Sequence, residues 1–124
     1  APASEEAIRK AGVSGRIIVC EIVVAEILPA LKNENEVSEF LSDLGIDFEP
    51  CSYECSLLAG MTFSRYLINK GKSRRVMPDF MVAAHALTFA DALLTRDRGY
   101  YRDYFKKLKI VDPSNEGAVT RRVR

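Results

Sequence analysis

The stretch "PDFMVAAHALTFADALLTRD", residues 78 to 97, is the reference against which the rest of the chain is placed. Pro78 and Asp79 open a helix: proline suits a first turn, and an acid there complements the helix dipole. From Phe80 to Ala90 the residues are apolar nearly all round, so this helix is expected to be central and enclosed on most sides. "ALLT", 92 to 95, follows as an apolar run of strand length that stops at polar residues. A buried helix leading into a buried strand is the unit from which parallel α/β sheets are built.

The remaining elements repeat this alternation. Ser4 precedes "EEAIRKAG", a short helix with acids in its first turn and Gly12 as its stop. "RIIVC", 16 to 20, is a β-branched strand, and "EIVVAEILPAL", 21 to 31, a helix whose last turn Pro29 kinks or loosens. Val37, Phe40, Leu41 and Leu44 lie at helical spacing before Gly45. "IDFEP" reads as a short strand, and Ser52 caps a helix from about 53 to 70. Leu57, Leu58, Met61 and Leu67 are among that helix's apolar positions, and Gly71 ends it. The basic loop "GKSRR" leads into the central helix; "GYYRDYFKKL" is a short helix and "KIV" a last strand closed by Pro113. The expected architecture is α/β, a three-layer α/β/α sandwich around a short central parallel sheet. A single domain is expected over 1–113, with a basic tail over 114–124.

The composition of the 124 residues, 48% hydrophobic and 28% charged, is that of an ordinary globular domain. No apolar run reaches the ~18 residues of a membrane span, and no secretory pattern opens the chain. Cys20, Cys51 and Cys55 make an odd count without a C-x-x-C spacing, and there is one histidine, His85. A structural zinc site has little support, and the cysteines read as buried or inert thiols in a reducing cytoplasm. His85, in an apolar helix, reads as a packed side chain rather than a base. The net charge of +1 conceals a division. Residues 1–60 carry 4 Lys/Arg and 11 Asp/Glu, a balance of −7, whereas 61–124 carry 14 and 6, a balance of +8. A polyanion is one partner such a basic half would suit; a solvated charged face is the other reading.

Three carboxylates call for attention. Ligand sites of parallel sheets lie outside the carboxyl ends of the strands, and Thr95 and Asp97 directly follow "ALLT". Asp97 serves equally well as a turn residue within Asp-Arg-Gly. Asp79 is either a dipole-complementing acid or one that faces a partly enclosed space. Glu26, with Ile22, Val23, Pro29 and Ala30 as its helical neighbours, is costly to bury unless paired or metal-bound; an exposed position near a kinked helix end is the alternative. Glu21, about 140° away round the helix, cannot share its direction. If the three acids meet, they repel one another and need a cation. Oxygen-only ligands suit Mg²⁺ or Mn²⁺, which can activate water and stabilise a phosphodiester under attack.

These same residues carry a resemblance. "AEIL" at 25–28, "PDFMVAAHAL" at 78–87 and "LLTRDRGYY" at 93–101 resemble, in order and spacing, the motifs of PIN-domain proteins. The likeness is greatest to the VapC-type toxins of prokaryotic toxin–antitoxin pairs. It extends from Arg16 to Pro113, with "LKIVDP" similar to the family's last strand. It implies a Mg²⁺- or Mn²⁺-dependent endoribonuclease, often a homodimer, held inactive by a cognate antitoxin protein. By position, Glu26, Asp79 and Asp97 match the family's metal-ligating and catalytic acids, and Thr95 its hydroxyl residue. Lys72, Arg74 and Arg75 before the central helix, and Arg96 and Arg98 around Asp97, become RNA-binding residues under the same reading. One departure stands out. The family's opening strand, which ends in an aspartate, has no counterpart in residues 1–15, and it is expected to precede Ala1.

Two other classes remain. A PIN-like module that binds RNA or a protein partner without cleaving needs no complete acid set. A phosphatase with an acidic Mg²⁺ site needs a nucleophilic aspartate after an early strand, which "RIIVC" followed by Glu21 does not provide.

Overall fold

The computed structural model describes residue 6 and residues 8–10, 15–69, 71–95 and 99–112. Strand β1 (Ile17–Val19) leads into helix α1 (Glu21–Leu31), helix α2 (Glu34–Asp43) and strand β2 (Ile46–Phe48). Helix α3 (Tyr53–Ile68), a 3₁₀ turn (Arg74–Val76) and helix α4 (Met77–Phe89) follow. Strand β3 (Leu93–Leu94), helix α5 (Gly99–Tyr104) and strand β4 (Ile110–Val111) complete the order. The expected loop "GKSRR" thus contains helical backbone, begun where Ser73 Oγ accepts the Arg75 N–H at 3.2 Å.

The local signals act as their chemistry dictates. Asn33 Oδ1 accepts the Glu36 N–H at 3.0 Å to start α2, and Ser52 Oγ accepts the Cys55 N–H at 3.1 Å to start α3. Gly45, after α2, has φ +65°, a left-handed conformation that costs glycine nothing. α1 runs through Pro29 and ends at Lys32, whose N–H donates to Leu28 O at 3.0 Å. After α3, Gly71 donates its N–H to Tyr66 O at 2.9 Å, and a Cβ there would collide with the Tyr66 ring. Ser4 and Gly12, expected to bound the first helix, lie outside the described residues; Glu6 and residues 8–10 are helical.

The described strands form two parallel pairs, making the fold an α/β sandwich with short strands. In the first, Ile17, Ile18 and Val19 of β1 face Ile46, Asp47 and Phe48 of β2. In the second, Leu93 and Leu94 of β3 face Ile110 and Val111 of β4. The Arg16–Asp47 ion pair, 3.0 Å and exposed, fastens the start of the first pair. Helices lie between the strands of each pair in sequence, the kind of connection that parallel pairing requires.

The main core packs α4 against α3 and α5. Phe80 is fully buried, with the rings of Phe63, Tyr66, Tyr104 and Phe105 centred 5.4–6.4 Å away. Small residues, Ala83, Ala84 and Ala86 of α4 and Cys55 and Ala59 of α3, fill the remainder. Thr62, also buried, satisfies its hydroxyl by donating to Leu58 O at 2.8 Å. Two of the three cysteines depart from expectation. Cys51 and Cys55 form a disulfide across the start of α3, where their Cα atoms are 5.8 Å apart; Cys20 is a buried free thiol.

Because five aromatic rings meet at Phe80, Phe80→Ala should cost about 3–5 kcal/mol in a urea unfolding curve. A loss below ~1 kcal/mol would show that the cluster rearranges to fill the space.

Candidate active site

β1 and β3, one strand from each pair, border a single cavity of about 360 Å³. Ile17 to Cys20 line it from β1 and its continuation, and Ala92 to Thr95 from β3. Val23 and Glu26 enter the lining from α1; Asp79, Val82, His85 and Ala86 enter from α4. Most of the wall is therefore apolar. Glu26, Asp79 and Thr95 line it from three different elements, so residues 53 and 16 positions apart in sequence share one space.

Each of these placements has a local cause. Asp79 lies in the first turn of α4, the one part of that apolar helix where a carboxylate is favoured by unpaired N–H groups and the dipole. It is half-buried. Thr95 sits at the carboxyl end of β3, held by its own N–H, which donates to Val111 O at 3.0 Å. Glu26 is exposed. The expense of burying a carboxylate on an apolar face, which made Glu26 anomalous in the sequence, therefore does not arise; the residue sits where the cavity meets solvent.

Two further side chains hold these helices in place, and the sequence did not point to either. Glu21, at the start of α1, accepts the Cys51 N–H with both carboxylate oxygens, at 3.0 and 3.3 Å. His85 is buried, and its Nε2 lies 2.7 Å from Glu49 O; since a carbonyl only accepts, Nε2 carries the proton. The helices bearing Glu26 and Asp79 are thus both hydrogen-bonded to the segment 49–51. An acid at a helix start has a sufficient local explanation in the dipole, so nothing in the sequence signals a partner 30 residues away. His85 is a packed side chain as expected, with the Phe89 ring centred 5.2 Å from its own.

Lys72, Arg74 and Arg75 are exposed on the approach to α4. The Arg74 guanidinium lies 5.9 Å from the centre of the Phe63 ring, which anchors it against the core. Arg96, Asp97 and Arg98 lie outside the described residues. Among the described residues, no three His, Cys, Asp or Glu side chains are grouped closely enough to hold a metal ion. Glu26 and Asp79 are oxygen donors of the type a hard divalent cation takes, but two carboxylates alone leave its coordination to be completed by further ligands.

The family model for the PIN domain matches residues 1–106. The chain belongs to the PIN-domain family, whose members are generally nucleases that use divalent metal ions. No curated protein matches the chain. Among the described residues no helix is long and apolar enough to cross a membrane.

The different settings of these side chains separate structural from functional roles. Glu26→Gln should change stability by no more than ~0.5 kcal/mol, because the carboxylate is exposed. His85→Ala, which empties a buried site and leaves Glu49 O without its donor, should cost about 2–4 kcal/mol. Urea unfolding of the two variants tests both values; a large loss from Glu26→Gln would make Glu26 a structural residue.

Proposed function

We propose that this chain is a Mg²⁺- or Mn²⁺-dependent endoribonuclease, the toxin of a VapC-type toxin–antitoxin pair. The observation that carries the reading is the convergence of Glu26, Asp79 and Thr95 on one cavity at the strand ends. These donors suit a hard cation. Glu26 and Asp79 would hold it, with Asp97, two residues beyond Thr95, as a third ligand. A bound ion of this kind activates water and neutralises charge developing on a phosphodiester. The Thr95 hydroxyl orients a neighbouring carboxylate or water by hydrogen bonding. The apolar walls from β1, β3 and α4 keep bulk water away and strengthen the electrostatic interactions inside. Histidine plays no part in the chemistry, since His85 spends its Nε2 proton on Glu49 O.

Lys72, Arg74 and Arg75, next to the helix that carries Asp79, and Arg96 and Arg98, beside Asp97, bind RNA phosphates. Their position offsets the repulsion between an acidic cavity and a polyanion. A further parallel strand between β1 and β3, which both border the cavity, would unite the two pairs. Ending in an aspartate, it would add a ligand. The resemblance to VapC-type toxins supports a cognate antitoxin, a homodimer and a cytoplasmic setting, in which the Cys51–Cys55 pair would be held reduced.

The second reading is a PIN-like module that binds RNA or a protein without cleaving it. Cleavage of a fluorescent single-stranded RNA with Mn²⁺, Mg²⁺ or EDTA separates the two. Cutting should require metal and fall on the order of 100-fold or more in Asp79→Asn and in Asp97→Asn. Binding without cutting by antitoxin-free protein would favour the module. In the same RNA-binding assay, Lys72→Ala or Arg75→Ala should weaken affinity for all sequences and lower the slope of log K against log salt by about 0.7. An unchanged slope would remove that residue from the phosphate contacts.

A further inference from the structure

The basic loop that leads into α4 is held by one residue of α3. Tyr66 is buried; its ring meets those of Phe80 and Tyr104 edge-on, with centres 5.6 Å away in each case, and is stacked with Phe63. A phenylalanine would make the same ring contacts. What the hydroxyl adds is a hydrogen bond to the loop, since Tyr66 Oη accepts the Ser73 N–H at 3.2 Å. The carbonyl of the same residue accepts the Gly71 N–H at 2.9 Å, and the ring stands where a Cβ on residue 71 would be. Tyr66 therefore grips the loop at residues 71 and 73, on either side of Lys72. From Ser73 the order is passed on. Ser73 Oγ accepts the Arg75 N–H at 3.2 Å, and the Met77 N–H donates to Arg74 O where the 3₁₀ turn runs into α4. The Arg74 guanidinium, 5.9 Å from the centre of the Phe63 ring, adds a third anchor. Lys72 and Arg75 are exposed on the loop fastened in this way, a few residues before Asp79.

We propose that Tyr66 is a positioning residue for RNA: from within the core it fixes the backbone of residues 71–75, and so presets the spacing at which Lys72 and Arg75 meet backbone phosphates. A flexible loop gives up conformational freedom when it binds, and that loss is subtracted from affinity. A loop already ordered by the fold does not incur it. Tyr66 itself touches no RNA, and removing its hydroxyl leaves every cation in place. The effect is therefore on binding strength and not on the number of phosphates neutralised. The inference rests on the reading of this loop as RNA-binding; the metal chemistry does not depend on it.

Binding of a fluorescent single-stranded RNA in EDTA, with thermal melting as the check on folding, tests the proposal. Tyr66→Phe, which keeps the ring, and Ser73→Ala, at an exposed position, should each weaken affinity about three- to tenfold. Because both variants keep the cations, the slope of log K against log salt should stay that of the unmodified protein, whereas Lys72→Ala and Arg75→Ala lower it. With metal present, Tyr66→Phe should raise KM by a similar factor and leave kcat unchanged, the mark of binding lost equally from ground and transition states. Unchanged affinity in Tyr66→Phe and Ser73→Ala, while Lys72→Ala and Arg75→Ala still weaken binding, would overturn the positioning role and keep the loop as an RNA contact. Unchanged affinity in all four variants would overturn the RNA-binding reading of the loop, and the positioning role with it.

Discussion

Enclosing α4 on nearly every side is the constraint from which the rest of this structure follows. Phe80 supplies the bulk, at the meeting point of rings from α3, α5 and the segment after it, while the alanines of α4 let its neighbours approach closely. A helix packed in this way has no lateral position for a carboxylate, because an unpaired charge in such surroundings costs several kcal/mol. Its polar groups are confined to its ends and to places where a partner is built in. Asp79 uses the N-terminal turn, and His85 uses the Glu49 carbonyl. The location of the candidate site is in that sense a consequence of core packing.

The segment 49–51 turns this packing into geometry. It receives the His85 ring from α4 and offers the Cys51 N–H to Glu21 of α1. The helices that bear Asp79 and Glu26 are thereby referred to one short stretch of backbone. His85 also lines the cavity, and both contacts bear on the separation of the two carboxylates. Acids converging on a cation need that separation held, because they repel each other whenever the cation is away.

Much of this was legible in the sequence. Ser52 and Gly45 marked helix ends through local chemistry, and the all-apolar run from Phe80 identified α4 as central, whereas the Asn33 cap emerged only in the structure. Which strands pair, and in what register, was not, since that depends on contacts between distant residues. The faces of α3 were equally hidden. Leu57, Met61 and Leu67 look like core positions by residue type, whereas Cys55, Ala59 and Thr62 take the core because α4 is too close for larger side chains. The site shows the same limit. Spacing alone left Glu26, Asp79 and Asp97 with ordinary local explanations; the resemblance gathered them, and the cavity unites Glu26 and Asp79 with Thr95, while Asp97 lies outside the described residues.

The disagreement over α3 is itself informative. Its fully buried side chains are small or polar-tipped, and Leu58 alone of its large aliphatic ones packs against the core, while Leu57, Met61, Leu67 and Ile68 are exposed. If folding of the single chain were the only demand, polar residues at Leu57, Met61 and Ile68 would lower the risk of aggregation at little cost to the core. Apolar residues there contribute stabilisation only when something covers them. The same helix begins at the segment that aligns α1 and α4, so whatever covers it also braces the frame holding the carboxylates. A cover on the outer face of α3 and the cavity between α1 and α4 would then share one structural support, although no residue of that face lines the cavity.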